Sequence, residues 1–239
     1  MTTPRGDGEL IWLTEPADRA GEQLSRERIV AAAMAIADED PRGEVTMRAI
    51  ATRIGTRSPM ALYRYVRSKD GLADLMNDEV FGQLEIPRGQ GWRACLRGLG
   101  HSASAALERH PWWARLAFSR PPLGPNALAV YDGCLAELDE LGLDAATRMG
   151  CISIVFGQVY STGLAALEER AMRARIGVQS EEQLADLARP YLDRITEEGA
   201  HPHFIAWAND PGRLAPPPQD FARTLEWLLD GLERDYAGG

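Results

Sequence analysis

Between Val45 and Lys69 the chain punctuates itself as two short helices separated by a turn too tight to hold anything else. Thr46 stands where a hydroxyl caps a helix, and Val45 with Ile50 can staple its first turn. Ile50, Ala51 and Ile54 supply an apolar face, and Gly55 closes the helix as a C-cap glycine does. Ser58 and Pro59 open the next helix, with Ser at the cap and Pro at the first helical position. Upstream, Ser25 caps an earlier helix on which Ile29, Val30, Ala33, Ile36 and Ala37 make one stripe, Leu24 stapling onto Ile29. Asp38 to Gly43 breaks it. Three short helices, the last two joined by a tight turn, form a helix-turn-helix unit.

The same stretch is basic. From Pro41 to Lys69 the residues Arg42, Arg48, Arg53, Arg57, Arg64, Arg67 and Lys69 face Glu44 alone, in a chain whose net charge is −9. Acidic bulk repels a polyanion, so a nucleic-acid contact has to be local and oriented. Arg64 with Tyr63 and Tyr65 on the outward side of the third helix suits phosphate and base-edge contacts. Lys69, opening the next helix, reaches a phosphate if the third helix enters the major groove.

Everything beyond Ser68 reads as helix: Lys69 to about Leu84, Trp92 to His110, a short aromatic helix opened by Pro111, Asn126 to Leu141, Asp144 to about Arg175, and Asp220 to Tyr236. Glu181 to Glu198 is interrupted by Pro190, and Pro202 to Gln219 is loop-rich. Ala, Leu, Glu and Arg dominate while Val and Ile are sparse, and no segment alternates with period two, so the fold class is all-α. At 239 residues, 45% hydrophobic and 26% charged, the chain can bury a sizeable core. Cys95, Cys134 and Cys151 are odd in number with no C-x-x-C pair, which argues for a reducing compartment. No stretch reads as a membrane span or signal peptide, so the expected location is cytoplasmic with no membrane partner. Residues 1–24 read as an N-terminal arm with one apolar patch, Leu10 to Leu13, whose Trp12 packs on the domain.

Catalytic chemistry finds no footing. His201-Pro-His203 lacks carboxylates at ligand spacing, and no nucleophile elbow, phosphate loop or H-E-x-x-H occurs. No enzyme activity, cofactor or metal is expected. The aromatic residues Trp112, Trp113, Phe118, Tyr131, Phe156 and Tyr160 admit two readings, as the filling of a bundle or as the wall of a cavity for a planar or greasy ligand. Adjacent Trp112 and Trp113 point about 100° apart on a helix and cannot both face one interior cleanly.

At these residues the chain resembles the TetR family of bacterial transcriptional repressors. The match runs from Leu24-Ser-Arg-Glu-Arg-Ile-Val-Ala-Ala-Ala33 through Thr46-Met-Arg-Ala-Ile-Ala51 and Leu62-Tyr-Arg-Tyr-Val-Arg-Ser-Lys-Asp-Gly-Leu72. It continues into the C-terminal half, in the manner of the tetracycline-repressor subgroup. The landmarks there are Trp92 with Leu96-Arg97, Ser119-Arg-Pro121, Glu198-Gly-Ala-x-Pro202 and Leu228-x-x-Gly-Leu-Glu233. The resemblance implies a phosphate-contacting cap at Thr46, a base-reading arginine at Arg48, phosphate contacts at Tyr63 and Lys69, and a recognition helix from about Pro59 to Tyr65. The span from Gly55 to Tyr63 is one residue longer than the family pattern, which leaves Arg57, Ser58, Met60 and Ala61 as candidates for base-edge contact. It also places the tetracycline repressor's magnesium-binding histidine on Leu116 and its drug-contacting amide and aromatic on Leu99 and Ala103. A leucine cannot ligate magnesium.

The expected organisation is therefore an arm (1–24), a helix-turn-helix DNA-binding domain (25–70) and a larger C-terminal helical ligand-binding and dimerisation domain (71–239). The expected function is a homodimeric repressor that leaves a palindromic, double-stranded DNA operator when an apolar or aromatic small-molecule effector binds. Its effector wall draws on Leu99, Ala103, Trp112, Trp113, Leu116, Phe118, Tyr131 and Phe156. The dimer interface combines helix 144–175 with Phe221, Leu225, Leu228, Leu229 and Leu232. The alternative is a helical ligand-binding protein that acts as an activator or has no operator, and operator binding at physiological salt separates the two.

Overall fold

Helix caps set the element boundaries. In a computed structural model that describes residues 10–13, 24–210 and 221–237, Ser25 accepts a hydrogen bond from the Arg28 amide and starts α1 (Arg26–Glu39). Thr46 accepts from the Ala49 amide at 3.1 Å and starts α2 (Met47–Ile54), which ends on Gly55 at φ 77. α3 (Pro59–Val66) begins on Pro59 as expected, although the Ser58 hydroxyl makes no capping bond. α4 (Lys69–Gly82) is capped by Ser68. There follow α5 (Trp92–Arg109), α6 (Trp113–Ser119), α7 (Pro125–Glu137), the 32-residue α8 (Ala145–Ile176) capped by Asp144, α9 (Glu181–Glu197), α10 (Pro202–Ala208) and α11 (Phe221–Leu232). The fold is all-α.

α1, α2 and α3 pack on one another as a small head, α4 leads from it, and α5, α7 and α11 pack along α8 to form the body. α4 touches α1 and α3 at one end and α6 and α7 at the other, so it joins the two parts. Of the arm, Ile11–Leu13 form a single 3-10 turn against α4, with Ile11 buried and Trp12 half-buried. Residues 1–9, 14–23, 211–220 and 238–239 lie outside the described residues, and with them most of the expected arm and the end of the expected loop.

Three expectations change. α9 runs through Pro190 without interruption, because Pro190 and Asp186 are both exposed and water can serve the carbonyl that a helical proline leaves unbonded. The stretch after Pro202 begins with a helix, α10, whose Ile205 and Ala208 are buried where it packs on α9. α8 is long and apolar enough to cross a membrane by length and composition alone, contrary to the sequence reading. Its Ile152, Val155, Phe156 and Val159 are spent on the core instead.

α11 is fastened to α5 by charge. Arg97 donates to both Glu226 carboxylate oxygens at 2.5 and 2.9 Å, and Arg93 reaches Glu226, Asp230 and Glu233. The hydrogen bonds from Arg97, then the one from Arg93, hold the Glu226 carboxyl down at about 2. A depressed folded pKa gives stability that is present above the unfolded value and lost as pH falls through the folded one. Glu226→Gln is expected to cost about 1 kcal/mol at neutral pH, the small value reflecting its partial exposure. It should also flatten the loss of stability between pH 4.5 and 2, read from urea midpoints across that range. Parallel midpoint curves for variant and parent would assign the acid sensitivity elsewhere.

Candidate nucleic-acid interface and ligand site

On α3 the inward positions Leu62, Tyr65 and Val66 follow the i, i+3, i+4 period and anchor the helix to the head. Tyr65 is only 3% exposed, so its expected outward role is corrected: it is a core residue, and its backbone carbonyl accepts from Arg26 Nε at 3.1 Å. Outside remain Arg57, Ser58, Met60 and Arg64, with Arg48 exposed on α2, while Thr46, Ala61 and Tyr63 are half-buried. Met60, at 72% exposure, is the most prominent apolar side chain of α3.

Charge pairing sorts the basic residues. Arg53 is bound to Glu39 at 2.5 Å, Lys69 to Glu44 at 2.6 Å and Arg42 to Glu168 at 3.2 Å. The hydrogen bond within the Lys69–Glu44 pair raises the ammonium pKa and lowers the carboxyl one. Arg48, Arg57, Arg64 and Arg67 have no ion-pair partner among the described residues. Four unanswered guanidinium groups around α2 and α3 are what a phosphate backbone needs.

The passage from α3 to α4 is tightly built. The Ser68 amide donates to the Val66 carbonyl at 2.7 Å across Arg67, whose φ of 64 lies in the left-handed region, a γ-turn geometry that side chains rarely adopt. A Cβ on Gly71 would lie 2.2 Å from the same carbonyl oxygen, so the first turn of α4 sits against the end of α3 only because Gly71 has none.

In the body, α4 carries two adjacent buried polar residues. Asn77 accepts from the Trp113 indole at 2.8 Å. Asp78 accepts from the Ala127 and Asn126 amides and so caps α7, which Gly124-Pro125 opens without a cap of its own. Burial pushes the Asp78 carboxyl up, and those amide bonds oppose the shift. Neither role was legible in the sequence, where the pair is two polar residues flanked by Leu75, Met76, Val80 and Phe81.

The aromatic residues form one cluster. Phe81 meets Trp113 edge-on at 5.5 Å and Phe156 at 5.5 Å, Trp113 meets Tyr160 at 5.2 Å, Phe156 stacks on Tyr160 at 5.3 Å, and Tyr131 lies 5.6 Å from Phe156. Phe81 of α4, absent from the expected effector wall, is central to it. Burial pushes the Tyr131 phenol up to about 12 and the Tyr160 phenol well up. Phe118 touches Tyr160 from outside at 59% exposure. Leu99 and Ala103 are fully buried on α5. A crevice of about 260 Å³ between α4 and α7 is lined by Phe81, Arg88, Asn126 and Val130 and so opens on one edge of the cluster.

Trp112 and Trp113 are both buried, in different surroundings: Trp113 joins the cluster, whereas Trp112 precedes α6 and donates to Asp38 of α1 at 2.6 Å. His110 Nδ1 lies 2.8 Å from the same carboxylate, and Glu168 of α8 binds both Arg42 of the head and Arg115 of α6. Between these contacts lies a second cavity, of about 290 Å³, to which Trp112 and Leu116 belong. Among the described residues no three His, Cys, Asp or Glu side chains gather as metal ligands would.

On α11 the expected interface residues divide. Leu225, Leu229 and Leu232 are buried within the chain's own core, where α11 packs on α5 and α8, and this corrects their assignment to a partner-facing surface. Phe221 and Leu228 are half-buried, and Trp227 is 55% exposed.

Residues 87–236 match the family described as the tetracyclin repressor-like C-terminal domain. The chain belongs to the TetR family of transcriptional regulators. It is 31% identical over 230 residues to the HTH-type transcriptional repressor DrrR1 of Streptomyces coeruleorubidus, covering 94% of this chain and 84% of that one. Its identity to the class C tetracycline repressor protein of Escherichia coli is 26% over 216 residues, 89% of this chain and 92% of that one. Among solved structures, the TetR-family protein ActR of Streptomyces coelicolor in complex with actinorhodin superposes with a TM-score of 0.73 at 25% identity, covering 92% of this chain and 99% of the other. A TetR-family regulator pairs a DNA-binding helix-turn-helix with a ligand-responsive helical domain, and the head and body described above are those two parts.

Proposed function

We propose that this TetR-family regulator is a homodimeric repressor in the cytoplasm that binds a palindromic operator through α2 and α3 and leaves it when an aromatic effector enters the body. The observation that carries the reading is the set of guanidinium groups without an ion-pair partner among the described residues, Arg48, Arg57, Arg64 and Arg67, on a head where Arg42 and Arg53 are bound to carboxylates. Base-edge readout falls to Arg48, Arg57, Ser58, Met60 and Ala61, and phosphate contact to Thr46, Tyr63, Arg64 and Lys69. One head offers few base contacts, so two half-sites read by a dimer are the physical route to useful affinity.

The partner surface is the outward face of α8 with that of α11. Ser153, Ile154, Gly157 and Ser161 are exposed along one side of α8, while on α11 Trp227 lies on the side away from Leu225 and Leu229 and half-buried Leu228 borders the buried face. Leu187, Tyr191, Phe204 and Trp207 leave a further apolar surface on α9 and α10 that a second copy can cover.

The effector site is the aromatic cluster of Phe81, Trp113, Tyr131, Phe156 and Tyr160, entered by the crevice beside Phe81. Stacked rings suit a planar guest, and the phenols of half-buried Tyr131 and buried Tyr160 offer it neutral hydroxyls. ActR holds actinorhodin in its complex, which makes that compound a rational first probe. Its binding should quench tryptophan fluorescence through Trp113 with no dependence on magnesium, and an affinity that rose steeply with magnesium would overturn this site.

The DNA reading is tested on a duplex selected from a random library. Arg48→Ala is expected to cost about 1–3 kcal/mol on that duplex and to relax specificity at one base pair. Lys69→Ala is expected to weaken all duplexes alike and lower the salt slope by about one unit. Equal loss of specific and non-specific binding in the Arg48 variant would remove its base-reading role.

A further inference from the structure

The cavity between head and body borrows Lys69 from the phosphate contacts and Trp112 and Leu116 from the effector wall expected in the sequence, but its lining includes none of the aromatic cluster read above as the effector site. We propose that it is a second small-molecule site, and that its ligand is an amphipathic organic monoanion: an apolar ring system or chain bearing one carboxylate or sulfonate. At about 290 Å³ it lies near the lower end of the range for ligand pockets. Val45, Leu72, Met76 and Leu116 give it apolar walls. The charged side chains in its lining are Arg42, Lys69 and Arg115, with no carboxylate among them.

Those cations are answered from outside the lining, Arg42 and Arg115 by Glu168 and Lys69 by Glu44. These five groups keep one positive charge in excess, and the nearby Asp38 carboxylate is engaged by Trp112 and His110 and not by these cations, so the arginine rim favours a monoanion over a neutral guest. Glu168 engages Nη2 of each arginine, and a guanidinium has five N–H donors, so both retain hydrogen-bonding capacity toward the cavity. The apolar body of the ligand would replace water against Leu72, Met76 and Leu116 while its acid group met the rim. Because the walls come from the head, from α4 and from α6, a guest there contacts all three, and its binding is linked to the angle between them.

The test uses the full chain and two fluorescent probes with the same rings, 1-anilinonaphthalene-8-sulfonate and its uncharged counterpart N-phenyl-1-naphthylamine. The sulfonate is expected to bind at least about tenfold more tightly. Ala73→Trp, which fills the cavity from α4, is expected to remove that sulfonate-selective component while helix content is retained. Arg115→Gln is expected to weaken the sulfonate about tenfold and leave the neutral amine unchanged. Sulfonate binding that survived Ala73→Trp at the parent affinity, or an Arg115→Gln variant that weakened both probes equally, would overturn the proposal. Should Ala73→Trp not fold, the ratio of the two probes in Arg115→Gln, a partly exposed position, decides it alone.

Discussion

Leu228→Glu is expected to yield a folded monomer that has lost operator binding, while Leu229→Glu, one residue further on, is expected not to fold. The contrast follows from the two faces of α11. Leu225, Leu229 and Leu232 lie inward on the chain's own core, and Leu225 and Leu229 have no accessible surface at all. A lone carboxylate forced into the Leu229 position faces a desolvation penalty of several kcal/mol, comparable with the whole stability of a domain of this kind, about 5–15 kcal/mol. Leu228 is only half-buried beside exposed Trp227, so a charge there is solvated in the monomer and buried only when a second copy docks. Sedimentation should show Leu228→Glu at monomer mass with unchanged helix content by circular dichroism. Its operator affinity should fall at least about a hundredfold, since two half-sites no longer act together. A Leu228→Glu protein that stayed dimeric would move the interface away from α11.

Gly71→Ala is expected to disable the head without dissolving the dimer. The added carbon would lie 2.2 Å from the Val66 carbonyl oxygen, and that atom is backbone, already committed to the Ser68 amide across the γ-turn. It cannot swing aside as a side chain tip can, so α3 must shift relative to α4. Overpacking of this sort costs about 1–3 kcal/mol. Its functional effect should be larger, because in the proposed dimer each head must present α3 in register with a second half-site about 34 Å away. Operator affinity is expected to drop about tenfold or more with sedimentation unchanged. Undiminished affinity would show that the Val66 carbonyl yields without carrying the recognition helix with it.

Much of the head was legible because its boundaries are written in residue chemistry that acts locally. Ser25, Thr46, Gly55, Pro59 and Asp144 each stop or start a helix within a turn of themselves, and the structure places those ends where the residues do. What the sequence could not resolve is which apolar residues belong to the chain's own core. α11 turns Leu225, Leu229 and Leu232 inward, keeps Leu228 at the edge of that face and leaves Trp227 outside, and an apolar residue count treats them alike. Tyr65 misled for a related reason: a tyrosine among arginines reads as outward, yet it falls on the Leu62–Val66 side of α3. Asp78 caps α7 across 48 residues of sequence, a separation over which local reasoning has no purchase. α10 is seven residues long, too short for a helical period to declare itself.

The adjacent pair Asn77 and Asp78 also constrains how α4 can move. Asn77 holds α6 through Trp113, and Asp78 holds the first turn of α7. Translation along the axis would strip both buried bonds at once, whereas a tilt about the pair can keep them. The fulcrum therefore sits near residue 78, about 13 Å from Lys69 at 1.5 Å per residue. A tilt of about 10° then swings the Lys69 end by about 2 Å, and the same rotation carries the head with it through Gly71. Anything that turns Trp113 or the start of α7 is thus magnified toward the DNA, while a push along the helix is resisted. The polar pair fixes the mechanical advantage of the switch.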